Sequence, residues 1–289
     1  MVNYNKRHRN FLLISIGVVL VFAVIQTTLL KSYAVLPSED NPAYAQTINT
    51  YKTTFSLAVV LLIAVFAVFS FLLMKKNKTQ NAGYNDSPTI FFAALIGFMS
   101  ISSAALIVYH SVVNKIKPPV LDVAVIIAVF FMAFYFFYTS SRAPKQGNIV
   151  YTALSFAPTV YAVLRVFWVF IPIRETAVDV TALFRLFGLA FTMLFFVSQL
   201  KAVNGEPNRN ATTFFGLSAI LLNLLFQIPD LVLSAFWLFR FSTTSVFTAV
   251  DLFITLFIFA RLLAMTEKQE ETKETQKSDF ERTIHIDVE

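Results

Sequence analysis

Long apolar stretches separated by short polar segments run along the whole chain. A helix needs about 20 mostly apolar residues to cross a bilayer, and a helix satisfies its own backbone hydrogen bonds within the hydrocarbon. Strands of a membrane barrel would instead be about ten residues long and alternate in polarity. The pattern therefore predicts an all-α membrane protein, a bundle of about eight transmembrane helices. The predicted spans are 11–30, 54–74, 89–113, 119–139, 149–171, 178–200, 211–239 and 245–265.

The composition agrees with this pattern. Hydrophobic residues make up 57% of the chain and charged residues 14%, whereas soluble domains average about 45–50% and 25%. A soluble fold of this size could not cover so much apolar surface, so a soluble enzyme and a disordered chain are both excluded. We expect one embedded domain over 11–265, preceded by a basic segment, 1–10, and followed by a charged tail, 266–289.

Basic residues are unevenly distributed between the two ends of the predicted helices. With the N-terminal segment in the cytoplasm, the inner segments hold fifteen Lys and Arg and the outer segments six. Cytoplasmic segments of membrane proteins are enriched in these residues, so eight spans predict that both termini are cytoplasmic. The first apolar run is longer than the roughly 7–15 residues of a signal-peptide core, which favours a retained helix.

Two short similarities relate the halves of the predicted bundle. Residues 119–126 resemble 248–255, and residues 88–92 resemble 211–215. One interpretation is a 4+4 parallel repeat about an axis along the membrane normal, as in some transporters. The other is that apolar helices resemble one another by composition.

Each of spans five to eight carries a charged residue well inside its apolar stretch: Arg165, Arg185, Asp230 and Asp251. Counted from the predicted outer ends, all four lie roughly 9–13 Å below the outer interface, at about 1.5 Å per residue. A charge at the centre of a span costs about 2.5–3.5 kcal/mol on insertion scales. Two arginines and two aspartates at one depth therefore predict a mutually neutralising cluster.

Polar and small residues recur at helical spacing on the same four spans, so each set marks one helix face. We expect these faces to point inward together, and Pro158 and Pro229 to interrupt the backbone hydrogen bonds locally. Gln26, His110, Asn114 and Asp122 lie near the same predicted outer surface. The four sets are Tyr151, Ser155, Pro158 and Arg165; Thr181, Arg185, Gly188, Thr192 and Gln199; Thr212, Gly216, Ala219, Asn223, Gln227, Asp230 and Ser234; and Thr244, Thr248, Asp251 and Thr255.

Motifs for catalysis or cofactor binding are not found in this sequence. There is no cysteine, and the three histidines are far apart. Asp230 and Asp251 lack the Tyr-Asp and Gly-x-Gly-Asp contexts of intramembrane aspartyl proteases, and zinc-protease, serine-hydrolase and phosphate-loop motifs are missing. We therefore expect no enzyme activity, no cofactor, no metal and no nucleic-acid partner.

Several segments of spans five to seven carry a resemblance to known proteins. They comprise residues 157–165 and 187–196 with Leu200-Lys201 and Pro229, and they cover under half of the chain. These segments resemble uncharacterised multi-pass membrane proteins of clostridia-type bacteria. The resemblance implies a bacterial plasma membrane, but it implies no activity and transfers no functional residue.

Two functional interpretations follow for a protein surrounded by the lipid bilayer. The first is a small-solute transporter or permease-like protein with its site in the outer half of spans five to eight. The alternative is a non-catalytic sensor or assembly subunit whose buried charges are structural and whose tail contacts a cytoplasmic partner. Under the first interpretation the substrate-binding residues are Arg165, Arg185, Asp230, Asp251, Asn223 and Gln227.

Overall fold

Each predicted span is helical over almost all of its described residues in the computed structural model, the fifth span as two helices. The structure describes residues 3–35, 42–73, 87–115, 117–141, 149–175, 180–236 and 245–265. Within these residues, eight helical segments are long and apolar enough to cross a membrane, and no strand is present. The prediction of an eight-span helical bundle is confirmed, and the architecture is that of a multi-pass membrane protein. The tail 266–289 lies outside the described residues.

The helices are numbered in chain order. The fifth span consists of two helices, α5 and α6, so spans six, seven and eight correspond to α7, α8 and α9. The bounds are α1, Asn3–Val35; α2, Pro42–Val68, continued by a π-helical segment, Phe69–Leu73; α3, Ser87–Val113; α4, Val120–Ser141; α5, Ile149–Leu154; α6, Ala157–Glu175; α7, Val180–Val203; α8, Arg209–Phe236; and α9, Ser245–Met265.

The first two helices extend beyond the predicted membrane-crossing residues. Helix α1 already begins at Asn3 and continues to Val35, and α2 begins at Pro42, a residue type favoured at the first helical position. The segment 31–53, which hydropathy assigned to an outer loop, is therefore helical at both of its ends. Hydropathy identifies only the apolar part of a helix. The polar ends of the same helix are also helical, but their composition does not distinguish them from a loop.

The two prolines of the polar faces have different effects. The fifth span is broken at Ser155 and Phe156, just before Pro158. Proline has no N–H to donate and its ring crowds the preceding turn, so the predicted break is confirmed here. Pro229 instead lies inside α8, which continues to Phe236, and the interruption there is limited to the one hydrogen bond that proline cannot donate.

Helices α8 and α9 form the centre of the bundle. In each of them 67% of the most apolar window is buried, against 28% for α1 and 17% for α2. Helix α8 packs against α1 and α7. The Phe257 ring of α9 lies 5.1 Å from Phe136 of α4 and 6.5 Å from Phe196 of α7. The central helices carry Asp230 and Asp251. Asp251 is buried, whereas Asp230 lies in the less buried last part of α8.

Candidate functional site

An ion pair between α6 and α9 forms the centre of the charged cluster. Nη2 of Arg165 lies 2.6 Å from Oδ2 of Asp251, and Nε of Arg165 donates to the same oxygen at 3.3 Å. Arg165 is 0% exposed and Asp251 3% exposed. Tyr161 donates its hydroxyl to the other oxygen, Oδ1, at 2.6 Å. Both carboxylate oxygens of Asp251 are therefore engaged, whereas Nη1 of Arg165 is buried and has no hydrogen-bond partner among the described residues. We call Arg165 and Asp251 the closed pair.

Aromatic rings surround the guanidinium of Arg165. Its Cζ lies 4.7 Å from the centroid of the Trp168 ring and 4.9 Å from that of Phe247. Rings at this distance attract a cation through their π electrons. Trp168 also donates Nε1–H to Oδ1 of Asp122 at 2.7 Å, so the cluster reaches α4 through one indole.

Arg185 on α7 lies against the same indole but has different partners. Its Cζ is 5.5 Å from the Trp168 centroid and 4.3 Å from that of Phe226 on α8. Its Nε and Nη2 are buried and have no hydrogen-bond partner within the described part of the chain. Arg185 interacts electrostatically with Arg165, Asp251 and Asp230, so it belongs to the same cluster without being bonded into it.

Asp230 follows Phe226 by one helical turn and therefore lies on the same face of α8. Its Oδ2 is buried and, among the described residues, has no hydrogen-bond partner. Asp230 and Arg185 are both only half-buried, and no ion pair joins them in the described residues. We call Arg185 and Asp230 the open charges.

Over the described residues, the polar faces predicted on α7, α8 and α9 point inward, and their side chains bond across the helices. The side chain of Thr181 and the whole of Thr244 lie outside the described residues. Asn223 donates Nδ2–H to Oγ1 of Thr192 at 2.8 Å, and Thr255 donates to Oε1 of Gln227 at 3.2 Å. Further along the same seam, Ser198 and Thr212 share a hydrogen bond. Asn223 and Gln227 are 2% and 1% exposed, and these contacts occupy them in holding neighbouring helices together.

Helices α7 and α8 approach each other closely one to two helical turns away from the open charges. A Cβ added at Gly188 would be 2.5 Å from Oδ1 of Asn223 and 3.2 Å from its backbone nitrogen. Gly188 is one turn from Arg185, and Asn223 is two turns from Asp230. The absence of a side chain at Gly188 therefore helps to set the distance between the helices that carry the two open charges.

Four residues of the cluster were missed from the sequence: Tyr161, Trp168, Phe226 and Phe247. A signal existed for two of them, because Tyr161 and Trp168 lie four before and three after Arg165 and so share its helix face. No signal distinguishes Phe226 and Phe247 from the other phenylalanines of a chain that has 33.

The four residues that were predicted near the outer surface in the first half of the chain lie in different surroundings. Asp122 joins the cluster through Trp168, and Gln26 is buried in α1. His110 and Asn114 are exposed, and Asn114 donates Nδ2–H to the carbonyl of His110 at 2.9 Å. Of this set, Asp122 alone has a described contact with the aromatic and charged residues of the site.

A scan against protein-family models finds no match, and searches of curated proteins and of solved structures find no similar protein. The similarity to clostridial membrane proteins therefore stays a prediction from the sequence. The functional interpretation rests on the geometry of the charged cluster.

Proposed function

We propose that this membrane protein is a small-solute transporter or permease-like protein whose solute binds at the open charges. Polar atoms without hydrogen-bond partners support the proposal. Nε and Nη2 of Arg185 and Oδ2 of Asp230 are buried without a partner among the described residues. A buried polar atom left unpaired costs about 1–3 kcal/mol, and more when the group is charged. A solute that supplied the missing partners would recover this energy on binding.

The two unsatisfied groups define the chemistry of that solute. A guanidinium binds a carboxylate through paired N–H donors, and a carboxylate binds an ammonium group. A solute that carries both groups, such as an amino acid, would be neutral overall and would match the neutral sum of Arg185 and Asp230. The rings of Trp168 and Phe226 beside Arg185 would contact its apolar part.

The remaining predicted site residues have a supporting role in this proposal. Arg165 and Asp251 bond to each other, and Asn223 and Gln227 bond to neighbouring helices. These contacts position Trp168, α7 and α8 around the open charges. The chain itself would have no catalytic role, and the solute would cross the bilayer unchanged.

The proposed orientation is both termini in the cytoplasm of a bacterium, with the open charges toward the outside of its plasma membrane. The fifteen-to-six distribution of basic residues supports it. A reporter that is active only in the cytoplasm should be active when fused after Glu289, and one active only outside should be active near Asp40. A C-terminal fusion active outside would overturn this orientation.

A second candidate function has its own observation. The closed pair is buried, paired and bonded to Tyr161, which is what a structural charge cluster in a sensor or assembly subunit would show. Under this alternative Arg185 and Asp230 would be part of the scaffold, and water would not reach them.

Accessibility labelling separates the two functions. The chain has no cysteine, so Arg185→Cys and Asp230→Cys can each be probed alone with a membrane-impermeant thiol reagent. Thr192→Cys, at a position 3% exposed, is the buried control. Transport predicts labelling of both site variants, because water must reach the open charges, with the control unlabelled. Absence of labelling in folded site variants would support the structural alternative.

Uptake into proteoliposomes tests the solute class directly. We expect accumulation from a panel of amino acids, and less from matched carboxylates without an ammonium group or amines without a carboxylate. Asp230→Asn and Arg185→Gln should each lower uptake about tenfold or more, since a hydrogen bond to a charged group contributes about 1.5–3 kcal/mol. Lys201→Gln, which removes one exposed charge elsewhere, is the control. Equal uptake by all variants would contradict the proposed site.

A further inference from the structure

A groove of about 440 Å³ opens between α3 and α4 near the turn that joins them. Its volume is within the roughly 300–1,000 Å³ of small-molecule sites. None of its lining residues belongs to the charged cluster, although Val123 of the lining directly follows Asp122 on α4. The lining residues are Val108, Ser111, Val112, Lys115, Lys117, Pro118, Val123, Ile126 and Ile127.

Most of this lining is apolar and points away from the protein core. Val112 is 70% exposed and Ile127 53% exposed. Both residues belong to helices that cross the membrane, so their exposed side chains contact lipid tails. The apolar part of the groove is therefore open to the bilayer.

Two lysines lie at the end of the groove where the helices leave the membrane. Helix α3 ends at Val113, so Lys115 and Lys117 follow at the level of the lipid headgroups. Both lysines are exposed, and neither forms an ion pair within the described residues. The nearest acid along the chain, Asp122, already accepts a hydrogen bond from Trp168.

The backbone holds this end of the groove in a defined conformation. Lys115 has φ of 53°, the left-handed conformation that commonly ends a helix. Its backbone N–H donates to the carbonyl of Val112 at 3.2 Å. Pro118 and Pro119 follow Lys117 and restrict the backbone before α4 begins. Lys115 is therefore fixed at the end of α3, and Lys117 directly precedes two residues with a restricted backbone.

We propose that this groove binds one anionic phospholipid, with its phosphate at Lys115 and Lys117 and an acyl chain along Val108, Val112, Val123 and Ile127. The charge of the lysines complements a phosphate, and the apolar lining complements a hydrocarbon chain. Free phosphate would leave the apolar lining unused. A second protein helix would favour small residues at its contact surface, whereas valine and isoleucine line this one.

Native mass spectrometry of the full chain, released from nanodiscs with equal amounts of phosphatidylglycerol and phosphatidylcholine, tests the proposal. We expect one phosphatidylglycerol to be retained preferentially. Lys115→Gln with Lys117→Gln should lower that preference about 25-fold, because each lysine near anionic lipid contributes about fivefold. The control, Lys52→Gln with Lys201→Gln, removes the same charge elsewhere and should keep the preference.

A second variant tests the apolar part independently. Val112→Trp fills the groove at an exposed position and should lower phosphatidylglycerol retention while both lysines remain, and Ile127→Trp serves the same purpose if the first variant does not fold. Equal retention in the lysine variant and its control would overturn the proposal. Displacement of the lipid by inorganic phosphate, together with no effect of filling the groove, would also overturn it in favour of a simple phosphate site.

Discussion

Two arginines and two aspartates make up the charged cluster, yet their surroundings differ. Arg165 is fully buried, and Asp251 has both carboxylate oxygens bonded. Arg185 and Asp230 are half-buried and keep buried atoms without a partner among the described residues. Both arginines contact the same ring, that of Trp168. The described difference is therefore one of pairing and burial: an ion pair joins Arg165 to Asp251, and none joins Arg185 to Asp230 in the described residues.

The largest effect is expected from breaking the closed pair. Asp251→Ala leaves Arg165 charged and fully buried, which should lower the free energy of unfolding by about 3–5 kcal/mol. The measurement is chemical unfolding in detergent micelles. Asp230→Ala is the matched control on α8 and should have a clearly smaller effect, because no arginine in the described residues is ion-paired to Asp230.

Removing both members of the closed pair sharpens that result. Asp251→Ala with Arg165→Met restores neutrality with an apolar side chain, so the double variant should be more stable than Asp251→Ala alone. A double variant as unstable as the sum of the two single variants would show that the two side chains are not coupled.

The next largest effect concerns the hydroxyl that completes the closed pair. Tyr161→Phe removes the hydrogen bond to Oδ1 of Asp251 and keeps the ring. Because the acceptor is charged, unfolding should become easier by about 1.5–3 kcal/mol. Tyr109→Phe, at a position 67% exposed, should change the same measurement little. Equal effects of the two substitutions would contradict the assigned bond.

The spacing of the helices that carry the open charges is tested at Gly188. Gly188→Ala places a Cβ against Asn223, and we expect a destabilisation of about 1–3 kcal/mol from overpacking. Gly17→Ala on α1 is the control, since no atom lies within 4 Å of a Cβ added there. Uptake by Gly188→Ala should also fall if the separation of α7 and α8 shapes the site. A fully stable Gly188→Ala protein would show that the two helices can move apart at no cost.

The smallest effect is expected between the open charges themselves. A double-mutant cycle on Arg185→Gln and Asp230→Asn, scored by unfolding in detergent and in lipid, should give additive effects within about 0.5 kcal/mol. A coupling above about 1 kcal/mol would mean that the two charges meet in the folded protein. They would then form a second ion pair, which would remove the basis of the proposed solute site.

Much of the fold is encoded in local chemistry. A stretch of about 20 apolar residues must be helical in a bilayer to satisfy its own backbone, so the eight spans followed from the sequence. The inward faces of α7, α8 and α9 followed as well, because the cost of exposing Asn223, Gln227 or Asp251 to lipid determines how each helix is rotated. The break before Pro158 required only the missing N–H of one residue.

Which charges pair was decided by the tertiary structure alone. Depth and helix face bring Arg165, Arg185, Asp230 and Asp251 together, but they do not specify which helices are neighbours. Packing of α6 against α9 placed Arg165 on Asp251, and packing of α7 against α8 placed Arg185 over Phe226. Helix adjacency depends on the fit of side chains that are far apart in sequence, and one apolar helix surface resembles another. The sequence by itself therefore determined the spans and their polar faces, and the packing decided which charges form an ion pair and which do not.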